Sequence, residues 1–308
     1  MASLRQIRRR MKSIENIHEI TKAMEMIAAF RFKKAAGRFS KVRVYFLEME
    51  KLVSNLSSSA VSDGPATDHG GPRPAAFFGG ANGGFLHPLF EKRVLKKKAL
   101  MIVAGDKGLC GAYNANLLRA ASGWFKQNKD LETSVIPVGK IAFEYYKKRG
   151  TAASLVYPEK SMVDLPLAKK ITEEVKALFL SGQTDAVDIL YASFRMGGTG
   201  QIAAHPFLSL NYLILPGKEA PQDVDYIYEP GFAGVFIGLL EKYLEGKMYM
   251  SLLESLTSEY MARRVAMKQA TENGEEVLDE LKLLKNKTRQ AVITRELSEI
   301  VSGAGILV

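Results

Sequence analysis

A glycine-rich turn, Gly105-Asp106-Lys107-Gly108-Leu109-Cys110-Gly111, follows the β-type run Ala99–Ala104 and precedes a helical pattern. In dinucleotide folds this is where phosphate is cradled by backbone N–H groups and a helix N-terminus. The spacing here is G-x-x-G-x-x-G. It matches neither the G-x-G-x-x-G fingerprint nor a Walker A loop ending in Gly-Lys-Ser/Thr. The next strand pattern, Ser134–Val138, is not closed by an Asp or Glu that could hold a ribose. A tight turn of special backbone conformation is therefore the favoured reading. Cys110 is the only cysteine, and the histidines are His18, His69, His87 and His205. None has the spacing of a Cys–His nucleophile pair or of a metal site. The carboxylates fall mostly on helix faces among opposite charges, where solvated ion pairs are the default. The sequence thus predicts no catalytic residue, no metal and no cofactor.

The chain around this turn has 308 residues, 47% hydrophobic and 25% charged. That composition excludes wholesale disorder, and no uncharged apolar run reaches the roughly 18 residues of a membrane span. The N-terminus lacks the apolar stretch and small-residue site of a secretory signal. A net charge of +10 is concentrated at one end, with thirteen basic and five acidic residues in 1–55 against ten and eleven in 231–308. On a single helix the net charges of the first set lie about one Debye length apart, a spread field and not a phosphate clamp. Arg8-Arg9-Arg10 with Lys12 is the exception. A solvated helix face is the first reading, an acidic protein partner the next, and nucleic acid the last, since no aromatic stacking platform accompanies the charge.

All eleven prolines lie between Pro65 and Pro230. The proline-free ends permit two long helices. In the first, Leu4, Ile7, Met11, Ile14, Ile17, Ile20, Met24 and Ile27 form an apolar seam of helical period with a local stammer near Ile17. In the last, Leu240, Tyr243, Leu244, Leu252, Leu253 and Leu281 recur at helical spacing, with Gly246 and Gly274 as weak points. Each seam needs a cover, and the simplest is the other, as an antiparallel coiled coil. Between them, strand patterns at 99–104, 134–138, 154–157, 187–194 and 207–215 alternate with helical ones, which defines an α/β domain with a largely parallel sheet. The fold class is mixed α+β and α/β: a long antiparallel coiled coil of the terminal helices plus a central Rossmann-like domain. The segments are 1–57 (N-terminal helix), 58–97 (Gly/Pro-rich loop or insertion), 98–230 (α/β domain) and 231–308 (C-terminal helix).

Three separated motifs carry a specific resemblance: ITKAMEMIAA (20–29), DKGLCG (106–111) and SEYMARRVAMKQATENGEEVLDELKLLKNKTRQAVITRELSEIVSGAGIL (258–307). Together with HPLFEKR (87–93) and DYIYEP (225–230), they resemble the gamma subunit of F-type, proton-transporting ATP synthases, in order over nearly the whole chain. The stretch 60–84 looks like an insertion. The paired cysteines of chloroplast-type members are missing, so thiol regulation is not expected, and the start of the chain favours the bacterial type. The resemblance implies a central-stalk rotor without catalytic residues of its own. Its coiled coil would turn inside a ring of three alpha and three beta subunits, and its α/β domain would bind the epsilon subunit and the membrane c-ring. Membrane association would come only through that complex, at the cytoplasmic face of the cell membrane, and nucleic acid would play no part.

Carried over by motif, Lys22 and Met24 match the shaft surface facing an acidic beta loop, and Arg289, Gln290, Thr294 and Glu296 a polar grip on the upper shaft. Tyr226, Tyr228 and Glu229 match the foot. Asp106, Lys107, Gly108, Cys110 and Gly111 match a signature turn of unassigned function. Thr288 stands where Ala is commoner. If the helices align near Leu56 and Gly231, facing positions add to about 287. Leu4 then lies opposite about Leu283, and roughly 25 C-terminal residues, on the order of 38 Å of helix, protrude alone toward the uncharged tip Ile300–Val308. Two other readings are open: a nucleotide-dependent α/β enzyme, tested by titrating NAD(P)H or ATP, and a basic coiled-coil adaptor for nucleic acid or membrane, tested by salt-dependent DNA binding.

Overall fold

The computed structural model describes residues 3–59, 88–90, 93–159, 163–194, 200–210, 229 and 232–304. The insertion at 60–84 and most of the sequence-predicted strand 207–215 lie outside them. The elements run α1 (Leu4–Ser59), a 3-10 turn (Pro88–Phe90), β1 (Lys97–Val103), α2 (Tyr113–Gln127), β2 (Glu132–Val138), α3 (Lys140–Lys148), α4 (Leu165–Leu180), β3 (Ala186–Ala192), β4 (Ile202–Leu208) and α5 (Phe232–Ala304). Two compact units divide across both long helices. One holds residues 1–31, 109–111 and 260–308; the other holds 32–108 and 112–259.

The larger unit is built on a sheet of order β2-β1-β3-β4. β1 pairs in parallel with β2 and β3, while β4 runs antiparallel along β3. The near-continuous apolar runs of β1 and β3 suit strands covered on both faces, and every residue from Leu100 to Val103 is buried. By strand alternation Ala99, Met101 and Val103 face one side, in a core with Ile171 and Phe179 of α4 and Leu253 of α5. On α2, Trp124 donates its indole N–H to Asp188 of β3 at 2.7 Å, and Lys98 pairs with the same carboxylate. The sequence-predicted strand 154–157 forms only isolated bridges, Val135 to Ala153 and Val138 to Tyr157, in place of a continuous strand. α4 starts where the sequence places it because Asp164 caps the Leu167 N–H and Pro166 follows, a residue tolerated in a first turn. Within this unit α1 and α5 also pair. Phe46 stacks on Tyr243 with centroids 5.6 Å apart, and the absent side chain of Gly246 leaves room for Met49.

In the smaller unit α1 and α5 pair antiparallel, in a different phase from the one the sequence suggests. The seam of α1 passes through Ile7, Met11, Ile14, His18, Thr21 and Ala28, alternating fours and threes with no stammer. Ile17, Ile20 and Ile27, expected inside the seam, stand 48%, 58% and 54% exposed. The reason is continuity: the same alternation runs on through Ala35, Phe39, Phe46, Met49, Val53 and Leu56, all buried, so α1 keeps one phase. Facing residues His18–Gly274 and Thr21–Thr271 have numbers adding to 292, not about 287. Extended to the end of the coil, that register sets Leu4 opposite Thr288 and shortens the uncovered C-terminal stretch by about one and a half helical turns.

Candidate functional site

The turn after β1 is held from below by its own backbone. Asp106 Oδ1 accepts from the Lys140 N–H at 3.0 Å, and the Gly105 N–H donates to Oδ1 of buried Asn114 at 2.9 Å. Gly139 makes the approach possible. It sits at φ +98°, and a Cβ there would lie 2.4 Å from the Ala104 carbonyl oxygen, so only glycine fits. Two residues of the turn, Leu109 and Gly111, adopt positive φ near 60°. Lys107 and Gly108 are exposed, and Cys110 is buried. The Asp106 carboxylate stands where a dinucleotide fold would receive phosphate, and a fixed negative charge there repels an anion. The geometry is that of a strained structural corner.

The same unit carries an open cleft of about 590 Å³ between α3, α4 and the segment 156–159. Four of its five charged groups fall in pairs within the protein, Glu159 being the fifth. Lys140 lies near Glu144 and Lys170 near Glu174, and the Tyr157 hydroxyl donates to Glu174. Burial first, then that carboxylate, pushes the Tyr157 phenol far above its ordinary range, so it is no proton donor near neutrality. Among the described residues no cluster of three or more His, Cys, Asp or Glu is placed to hold a metal.

A surface is better developed than any cavity. On α1 in the smaller unit, Ile17, Ile20, Met26, Ile27 and Phe30 stand exposed, the last two at 54% and 72%. Lys22 is exposed beside them and Met24 is half-buried. On α5 every residue from 291 to 300 is exposed, including Val292, Ile293, Leu297 and Ile300. Arg289, Gln290 and Glu296 are exposed as well, and Thr294 donates its hydroxyl to the Gln290 carbonyl at 2.9 Å. Isolated apolar side chains on a surface are ordinary; here they recur along two helical stretches, each carrying charges of both signs, Lys22 beside Glu19 and Glu25 on α1 and Arg295 beside Glu296 and Glu299 on α5. Sequence reasoning missed Ile17, Ile20, Ile27 and Phe30 as surface residues. The regular continuation of the α1 seam down to Leu56 was the signal that could have found them. Of the foot residues, Glu229 is exposed, while Tyr226 and Tyr228 lie outside the described residues.

The long terminal helices pair with each other, and between them in the chain lies a partly parallel four-stranded sheet. The family model for ATP synthase matches residues 3–307. The ATP synthase gamma chain of Paracidovorax citrulli is 34% identical over 309 residues, covering 99% of each chain, and that of Protochlamydia amoebophila is 33% identical over 305 residues with the same coverage. Among solved structures, the Euglena gracilis mitochondrial ATP synthase (OSCP/F1/c-ring) contains a chain with TM-score 0.64 at 17% identity, covering 99% of this chain and 94% of that one. The Tetrahymena thermophila central stalk/c-ring gives 0.56 at 21%, covering 82% and 99%. At these identities the structural likeness is one of fold. The chain belongs to the ATP synthase gamma-chain family. It is accordingly a central-stalk subunit without a catalytic centre of its own. Among the described residues no helix is long and apolar enough to cross a membrane.

Proposed function

We propose that this chain is the rotor that couples ion flow through a membrane c-ring to conformational cycling of catalytic beta subunits, within a ring of three alpha and three beta subunits. The observation that carries the reading is the row of exposed apolar side chains on α1 of the smaller unit, Ile17, Ile20 and Ile27, with the fully exposed stretch 291–300 of α5. A rotor biases its neighbours only by touching their conformations unequally, and an apolar stripe along one side of α1 makes its faces unlike. In this reading Lys22 and Met24 meet acidic and apolar groups of the beta subunits, with Arg289, Gln290, Thr294 and Glu296 as the polar grip of the emerging helix. Tyr226, Tyr228 and Glu229 meet the epsilon subunit and the c-ring, at the cytoplasmic face of the membrane. Asp106, Lys107, Gly108, Cys110 and Gly111 brace the chain and do no chemistry. Exposed charge pairs are worth about 0–1 kcal/mol each, so steric push by the apolar side chains dominates and the charges guide it.

Affinity purification of the tagged full-length chain tests this. Recovery of alpha, beta and epsilon subunits with ATPase activity is the expected result, and Lys22→Glu together with Arg289→Glu weakens coupling of hydrolysis to ion pumping. A chain that purifies alone under gentle conditions overturns the reading. The second reading, nucleotide binding at the turn after β1, is disfavoured by Asp106 and predicts binding of ATP or NAD(P)H to the isolated chain.

A further inference from the structure

We infer that a polar layer in the middle of the coil, His18 and Thr21 of α1 against Thr271, Gly274 and Glu275 of α5, sets the rotation of α1 about its own axis and thereby decides which of two competing seams is buried. His18 Nε2 lies 3.0 Å from Glu275 Oε1, with the imidazole side chain only 17% exposed. Its ring and Cβ pack over Gly274. One turn further, Thr271 Oγ1 lies 3.1 Å from Thr21 Oγ1, its single hydroxyl hydrogen divided between that oxygen and the Met267 carbonyl at 2.9 Å. These residues occupy seam positions, where apolar side chains are the rule. One residue before each on α1 stands a large apolar alternative: Ile17 before His18, Ile20 before Thr21, Ile27 before Ala28. After Ile14 the helix could step by three and bury the isoleucines. It steps by four and buries the polar layer, leaving the isoleucines outside.

Area alone favours the seam that is not used. What opposes it is geometric and polar. A step of three after a step of three overwinds the coil. The rotated helix would also turn His18 and Thr21 away from Glu275 and Thr271, giving up the His18–Glu275 and Thr21–Thr271 contacts across the coil. A single polar layer is known to fix register at a cost in stability, and here it fixes helix rotation. The presentation of Ile17, Ile20 and Ile27 to a partner rests on the function proposed above; the rotation itself does not, and it is read on the free chain.

The test is thiol labelling of the full-length chain at two reporters, Ile20→Cys, exposed, and Ala28→Cys, buried, each with and without His18→Ala plus Thr271→Ala. Removing the layer slows labelling at Ile20→Cys and quickens it at Ala28→Cys, each by about tenfold, the change expected when the population passes from mostly one rotation to mostly the other. His18→Gln, which keeps a donor toward Glu275, behaves as the parent. Unchanged labelling at both reporters with helix content intact overturns the inference. So does faster labelling at both, which signals fraying and not rotation.

Discussion

The hydroxyl of Tyr146 is buried on α3 against Phe125 and Tyr145, and it has no hydrogen-bond partner among the described residues. Burial first, then the neighbouring Tyr145, pushes its pKa up to about 12, with Arg149 pulling the other way. An unpaired buried hydroxyl costs about 1–3 kcal/mol, so Tyr146→Phe should raise stability by about 1 kcal/mol, read as a higher urea midpoint at unchanged slope. Lys247 poses the opposite problem, a half-buried cation. Its ammonium donates to the Pro206 carbonyl at 2.7 Å and lies over the Tyr243 ring. Burial lowers its pKa from 10.5 to about 8, against the pull of Glu50 and Asp188. The folded chain then releases the proton near pH 8, while the unfolded chain keeps it to 10.5. Between those values the unfolded state binds more protons, and stability rises with pH. A pH series of urea melts should show that rise in the parent and its loss in Lys247→Met.

Gly246 and Gly274 of α5 separate cleanly once the pairing is known. A Cβ on Gly246 would lie 2.6 Å from the Met49 terminal methyl, whereas one on Gly274 would make ordinary contacts with His18, none closer than 3.6 Å. Gly274→Ala should therefore stabilise by up to about 1 kcal/mol through helix propensity alone. Gly246→Ala should gain less than Gly274→Ala, because the Met49 terminal methyl must first swing aside. Denaturant melts should rank Gly274→Ala as the more stable of the two variants. Composition made both glycines look alike; only the facing helix distinguishes them, and that is not in the local sequence. The same limit applies to the α1 seam. Ile17, Ile20 and Ile27 read as core because they are large and apolar at helical spacing, while the true seam runs through His18 and Thr21, whose partners lie some 250 residues away. The long helices, β1, β2, α4 and the turn at 105–111 were legible because proline placement, apolar runs and the Asp164–Pro166 cap are local signals. The antiparallel sense of β4 was not, since β4 is set by its pairing with β3. The exposure of Ile17, Ile20 and Ile27 was hidden by the phase error.

For the molecule as a whole, residues 291–300 of α5 contribute surface and no burial. A chain ending at Gln290 should keep its melting temperature, and a clear drop in a thermal scan would mean that this stretch packs against the rest. Under the proposed function the same truncation weakens assembly with the alpha and beta subunits.

His18 and Glu275 meet across a sequence separation of 257 residues. During translation at about 5–20 residues per second, the first helix leaves the ribosome some tens of seconds before its mate exists. Through that interval Ile7, Met11 and Ala28, buried in the finished coil, stay bare along with the isoleucines beside them. Only once residues around 271–281 have been made can that side of the first helix be covered.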